Sequence, residues 1–302
     1  MAMQMSATHT RARPVGRIAY VDGRYVPHGE ATVHVEDRGL QFADSVYEVL
    51  PVRDGIPLDE DGHLDRLERS LKAISLDPPM ARAALAAVMR ETVRRNKVKL
   101  GIVYLQVTRG AHRRDHPMPG RGRSTLIVTA RNMDPVALEK RETGGVSVIT
   151  MPDIRWGRCD IKSTGLLPAV LAKTKARQAG CYEAWLVDRD GYITEGASTN
   201  TWIVTSDNVL VTRQLGHNLL PGITRAGVMQ ALNEEGVNAI EERPFTLDEA
   251  YKAREAFVTS SGGGIVPVVK IDGKTIGEGR PGPMVKKVQA LYRQMHDRQL
   301  RP

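Results

Sequence analysis

Four short segments of this 302-residue chain carry residue types that can do chemistry together. The first centres on Lys162, in Asp160-Ile161-Lys162-Ser163-Thr164-Gly165, where an extended piece meets a segment of helical character. An amine at such a junction can project into a cavity and, when uncharged, act as a nucleophile or a base. The second is Glu195, a carboxylate on a strand that runs into the small-residue turn Gly196-Ala197-Ser198. The third is Leu219-Leu220-Pro221-Gly222-Ile223-Thr224-Arg225. Pro-Gly ahead of an apolar helix leaves backbone N–H groups free at the helix start and adds a hydroxyl, which suits a phosphate. The fourth is Val258-Thr259-Ser260-Ser261-Gly262-Gly263-Gly264, a hydroxyl- and glycine-rich turn that can also meet phosphate through hydroxyls and N–H groups. Taken one at a time, each has an ordinary alternative: a solvated ammonium, a turn carboxylate, a plain helix cap at Thr224, a loop.

Other chemistries lack their motifs. The chain has no P-loop, HExxH, GxSxG or strand-anchored GxGxxG, and its two cysteines, Cys159 and Cys181, form no CxxC pair. No metal site is expected. Two cysteines in a chain this size fit a reducing cytoplasm. No apolar stretch approaches the roughly 18 residues of a membrane helix, and residues 1–14 lack the apolar core of a secretory signal. The net charge of +8 favours anionic partners. The densest basic cluster runs from Arg109 through Arg113, Arg114 and His116 to Arg123, with no aromatic residue inside it. Single-stranded nucleic acid is gripped by stacking aromatics beside cations, so no nucleic-acid partner is expected.

The elements that must position these residues read as α/β, of the α+β kind. Asp22-Gly23 between two short apolar runs predicts a hairpin over 18–26. Strands are expected over 46–52, 102–107 and 124–129, and helices around 64–74 and 80–96. A polar connection over 131–144 follows, and the domain boundary is placed there. The division is then a flexible extension (1–17), a smaller N-terminal α/β domain (18–135) and a larger C-terminal domain (136–302). In the second half, strands are expected over 146–150, 183–187, 192–194, 201–204, 209–211, 256–259 and 266–271. Helices are expected over 165–179, 223–235 and 284–299. Thr246-Leu247-Asp248-Glu249 matches a capping box, with Phe245 placed for a hydrophobic staple.

Together the pieces resemble one family. The order Asp153-Ile154-Arg155-Trp156, Cys159-Asp160-Ile161-Lys162-Ser163, Thr194-Glu195-Gly196, Leu220-Pro221-Gly222-Ile223-Thr224-Arg225 and Phe257-Val258-Thr259-Ser260-Ser261 is similar to the class IV aminotransferases. These are the pyridoxal-phosphate enzymes of fold type IV. The likeness extends into the first half through Glu36-Asp37-Arg38, Tyr47-Glu48-Val49 and His63-Leu64-Asp65-Arg66, and covers about 18–293. It implies two domains, the larger barrel-like, in a homodimer. It implies Lys162 as the lysine that holds the cofactor and shuttles the proton, and Glu195 as partner of the pyridine nitrogen. Arg66, Ser198, Leu220, Ile223, Thr224 and Ser261 join them in holding pyridoxal 5'-phosphate, with the Arg66 fork on the phosphate. Within the family the pattern is most like the members that act on D-amino acids, because of Arg109-Gly110 followed by Arg114-Asp115-His116. An Arg-x-His pair in that loop binds the substrate carboxylate across the subunit interface, and here Arg114, His116 and Tyr47 would form that trap. Branched-chain transaminases and aminodeoxychorismate lyases lack the pair as a rule. They, and transaminases of (R)-amines, are the alternatives. The implied reaction is ping-pong transfer from a D-amino acid (D-alanine, D-glutamate) to a 2-oxo acid such as 2-oxoglutarate. Gly262-Gly263-Gly264 departs from the family, and is expected to loosen the phosphate loop or widen the pocket.

Overall fold

A computed structural model describes residues 16–120, 122–237 and 239–301. The extension expected over 1–17 lies, up to residue 15, outside the described residues. The first half contains β1 (Ile18–Val21), β2 (Arg24–Pro27), α1 (Arg38–Phe42), β3 (Ser45–Arg53) and β4 (Ile56–Pro57). It continues with α2 (Glu60–Ala73), α3 (Arg82–Arg95), β5 (Leu100–Thr108) and β6 (Thr125–Asn132). After α4 (Pro135–Gly144) come β7 (Val146–Pro152), α5 (Leu167–Gln178), β8 (Glu183–Val187), β9 (Ile193–Gly196), β10 (Asn200–Val204) and β11 (Leu210–Thr212). The chain ends with α6 (Ile223–Glu234), β12 (Ile240–Glu242), α7 (Leu247–Lys252), β13 (Glu255–Ser260), β14 (Gly264–Ile271), β15 (Lys274–Thr275) and α8 (Pro283–Gln299).

The β1–β2 hairpin turns on Asp22 (φ 44°) and Gly23 (φ 92°), the two left-handed residues that Asp-Gly supplies. It joins a six-stranded antiparallel sheet of order β2-β1-β6-β5-β3-β4. Along β3 burial alternates with the pleat. Val46, Glu48, Leu50 and Val52 face α2 and α3, where they pack with Leu64, Leu67, Leu71 and Met89. Tyr47 and Val49 point to the opposite face. One strand therefore delivers a carboxylate into the helix layer and a tyrosine to the other side, and both matter below.

The second sheet has nine strands in the order β12-β11-β10-β13-β14-β7-β8-β9, with β15 on β14. It is mixed: β14–β7, β7–β8 and β11–β12 are parallel pairs, the rest antiparallel. This sheet and its helices form the expected larger α/β half. Trp185 and Phe245 fill one core cluster; Trp202, stacked on Phe257 at 5.4 Å, fills another under α6 and α8. The capping box forms in full: Thr246 accepts from Glu249 N–H, and Glu249 accepts in return from Thr246 N–H.

One expectation about local structure fails. The connection over 131–144 is mostly helix, α4, with Pro135 in its first turn and the Asp134 side chain accepting from Val136 N–H. Its residues include none that is buried, so no apolar stripe marks it in the sequence. The short α1, β4, β12 and β15 are additional elements, too brief to show a period. Among the described residues no helix is long and apolar enough to cross a membrane.

Candidate active site

A cavity of about 980 Å³ opens between the two sheets, and Lys162 lies on its wall. Lys162 is not in regular structure. The turn that carries it is tied to the edge of β3: Tyr47 N–H donates to Lys162 O at 3.0 Å, Thr164 N–H donates to Ser45 O at 3.2 Å, and Ser163 bridges Val46. The backbone is thereby fixed while the side chain stays free. Its Nζ sits 4.3 Å from the centroid of the Tyr47 ring. Tyr47 reaches the cavity because it takes the other parity of β3 from Glu48.

Glu195, on β9, is 5% exposed. Its Oε2 accepts from Asn200 Nδ2 at 2.9 Å, both oxygens lie 3.2 Å from Leu220 N–H, and Oε1 accepts from Arg155 Nη1. Burial pushes the carboxyl up to about 7, against the pull of Arg155, Leu220 N–H and Lys162. Arg155 is itself held by Asp153 (2.9 and 2.7 Å) and by Asn218 O at 3.0 Å. A cation poised between two carboxylates thus fixes the orientation of Glu195. Neither Arg155 nor Asn200 has a role in the sequence reading, although both stand inside or beside motifs quoted there.

Helix α6 opens at Gly222 with no side-chain cap, so the N–H groups of Ile223 and Thr224 have no capping side chain where they line the cavity. Gly222 is required for close approach: a Cβ there would lie 2.0 Å from Asn200 Oδ1. Ser261 also lines the cavity, in the turn between β13 and β14. Of the three glycines after it, Gly264 has φ +67°, and a Cβ on Gly263 would lie 2.9 Å from both Ser260 Oγ and Tyr182 Oη. Gly264 is limited by its φ rather than by space, and Gly262 has both an ordinary φ and room, its nearest neighbour being Ile102 Cγ2 at 3.9 Å. The run therefore makes a tight turn at its end and widens the cavity only at Gly262.

Arg66 lines the cavity too, but not as an open fork. Its Nε and Nη2 donate to the two oxygens of Glu48 at 2.7 Å each, and Nη1 donates to Pro221 O at 3.0 Å. A guanidinium has five N–H groups, so two remain. The bidentate face expected for phosphate is engaged by Glu48, whose carboxyl Arg66 and His63 hold at about 2 in spite of burial.

Lys162, Tyr47, Arg66, Glu195, Ser198, Leu220, Ile223, Thr224 and Ser261 thus share one cavity wall. Ser198 faces it while donating to buried Glu183 at 2.8 Å. Arg114 and His116 do not line the cavity. Both are exposed, with the Arg114 guanidinium 5.2 Å from the Phe42 ring centroid. Cys159 does line it, but burial pushes its thiol up to about 11, so it offers no thiolate nucleophile near neutral pH.

An amine on an aromatic face, a buried carboxylate and a helix start with free N–H groups in one cleft define a site for a phosphorylated aldehyde cofactor. The chain belongs to the class IV aminotransferases: the family described as amino-transferase class IV matches residues 45–271. It is 44% identical over 268 residues to the D-alanine aminotransferase of Bacillus licheniformis, covering 89% of this chain and 93% of that one. It is 34% identical over 270 residues to the D-alanine aminotransferase of Staphylococcus aureus (strain MSSA476), covering 89% and 94%. Among solved structures, the Escherichia coli branched-chain amino acid aminotransferase superposes with a TM-score of 0.85 at 25% identity over 93% of this chain and 95% of that one. The branched-chain aminotransferase of the archaeon Thermoproteus uzoniensis, solved with norvaline, gives 0.79 at 28% over 92% and 94%. The chain is thus a pyridoxal-phosphate aminotransferase of fold type IV, and its residues fit that cofactor. Lys162 Nζ has no acidic partner among the described residues, the start of α6 carries no cap, and the one fully buried carboxylate on the cavity wall is Glu195.

Proposed function

We propose that this chain transfers the amino group of a D-amino acid, of the D-alanine or D-glutamate type, to a 2-oxo acid such as 2-oxoglutarate by a ping-pong mechanism. Relatives at 34–44% identity are named D-alanine aminotransferases, whereas the branched-chain enzymes it resembles in structure are 25–28% identical. The observation that carries the reading is the pairing, in one cavity, of a lysine amine against an aromatic ring with a buried carboxylate held by three donors.

Pyridoxal phosphate supplies, when bound, an electrophilic aldehyde carbon and an electron-accepting ring. Lys162 Nζ would hold that aldehyde carbon and, as a free amine, would be the base placed to take a proton from the substrate Cα. Tyr47 keeps that amine on one side of the cavity. Glu195 would meet the ring nitrogen, and a cation there would add to Arg155 and Lys162 in favouring the ionised carboxylate against burial. The N–H groups of Ile223 and Thr224, the Ser261 hydroxyl and the free N–H groups of Arg66 hold the phosphoryl group. Ser198 and Leu220 act one step back, the first through Glu183 and the second through its N–H on Glu195. Arg131, Arg141 and Arg177 also line the cavity and suit anionic substrates.

The active form is a homodimer of two-domain subunits, divided near residue 135 and acting in the cytoplasm. Arg114 and His116 of each subunit serve the cavity of the other. Their exposure and their absence from the lining of their own cavity support this arrangement. A panel of D- and L-amino acids and simple amines, each with 2-oxoglutarate and pyruvate, tests the substrate class. Turnover of branched-chain L-amino acids or (R)-amines in preference to D-alanine overturns it, as does pyruvate release from aminodeoxychorismate without an acceptor. Mixing inactive Lys162→Ala with weak Arg114→Ala subunits tests the exchange. Activity above that of either parent is expected, because one hybrid cavity keeps both groups, and a merely averaged activity refutes it.

A further inference from the structure

Glu48 and His63 are fully buried and neither lines the cavity, yet together they touch two of the groups that do. Glu48 lies on the helix-facing parity of β3 and takes the Arg66 fork at 2.7 and 2.7 Å. Its Oε2 also lies 2.7 Å from His63 Nδ1, one turn of α2 before Arg66. With Nδ1 committed to the carboxylate, Nε2 is the ring atom that faces Ser261, whose Oγ is 3.4 Å away. Ser261 belongs to the second sheet, and Arg66 reaches the segment before α6 through Pro221 O at 3.0 Å. One buried carboxylate on the first sheet therefore sets an arginine of α2 directly and, through His63, a serine in the turn between β13 and β14.

We propose that Glu48 and His63 are positioning residues for the phosphoryl group: Glu48 aims Arg66, and His63 aims Ser261. The proposal rests on the cofactor reading above and extends it to two side chains the phosphate never touches. The proton balance is simple. Ser261 has one hydroxyl proton, and to give it to an anion it must accept a hydrogen bond from Nε2, so the ring must carry both protons. Burial, the largest influence, and Arg66 hold the ring below its ordinary pKa, while Glu48 and Asp59 pull the other way. A phosphoryl anion beside Ser261 adds a further favourable charge, so the pair is made for a ligand that brings negative charge with it.

The test compares pyridoxal phosphate with unphosphorylated pyridoxal, each titrated against the purified full chain with bound ligand read by absorbance. His63→Leu and Ser261→Ala should each weaken pyridoxal phosphate binding about tenfold and leave pyridoxal within about twofold. The double variant should be no weaker than either single one, because both remove the same interaction. Equal losses for both ligands, no loss, or additive losses overturn the proposal. If His63→Leu gives no cooperative melt, His63→Gln takes its place in the same cycle, and Ser261→Ala alone must still lower the phosphate preference. A wild-type chain that binds the two ligands equally overturns the cofactor site itself, an outcome distinct from a wild-type preference that the variants fail to change.

Discussion

The cavity wall and the loop between β5 and β6 are built by opposite rules. On the wall, Glu195 takes three donors, Arg155 is shared between two carboxylates, and Arg66 has three of its N–H groups engaged. In the loop, Arg114 and His116 are exposed, and their side chains lie against the Phe42 ring. The loop is held at its base instead: buried Arg38 donates to Asp115 O at 2.6 Å and His116 O at 3.3 Å. Buried polar groups must find partners inside the protein, whereas exposed ones have water. The charged groups of the cavity wall consequently find their partners within one chain. The loop leaves its charged side chains to water.

Four substitutions sharpen or break this contrast. Lys162→Ala should lower kcat by more than about 10⁴-fold while the chain still melts cooperatively, since it removes both a nucleophile and a base. Residual turnover above about a hundredth of wild type would show that another group does the work. Glu48 comes next. Its carboxyl is held at about 2, below the ordinary 4.5, so the folded chain binds fewer protons than the unfolded one between those values. The stabilisation is complete above roughly pH 4.5 and fades as pH falls toward about 2, amounting to roughly 3 kcal/mol. Denaturant melts across that range should be steep for wild type and flatter for Glu48→Gln; identical slopes would mean the buried ion cluster behind the wall is not the acid-sensitive element.

Arg114→Ala should cut kcat/KM for D-alanine about a hundredfold by removing a charge-assisted carboxylate contact, and leave the melting temperature unchanged. A fall in melting temperature like that of the Glu48 variant would erase the distinction between the two regions. The smallest effect belongs to Gly262→Ala. Its Cβ has 3.9 Å to its nearest neighbour, so stability should move by less than about 0.5 kcal/mol while KM for bulky side chains rises. A loss of several times that stability would show that the turn has no slack there.

Much of this arrangement was legible beforehand. The hairpin at Asp22-Gly23, the capping box at Thr246 and the helix after Gly222 rest on neighbours a few residues apart, and the structure has all three. Nine of the eleven expected site residues line one cavity. Helix α4 was not legible, because without a buried face it has no apolar period. Arg155 carried no signal of its own, since Asp153 two residues away is an adequate surface partner and only folding brings Glu195 to it.

By itself, the sequence determined the candidate residue types and most of the local elements that bear them, since caps, turns and periodicity depend on short-range backbone preferences. Only the tertiary structure decided that the Arg66 fork closes on Glu48, that Arg155 steadies Glu195, and that Arg114 is left off the lining of its own cavity. Those outcomes depend on strand register and on what burial leaves unpaired, and both are set by residues far apart along the chain.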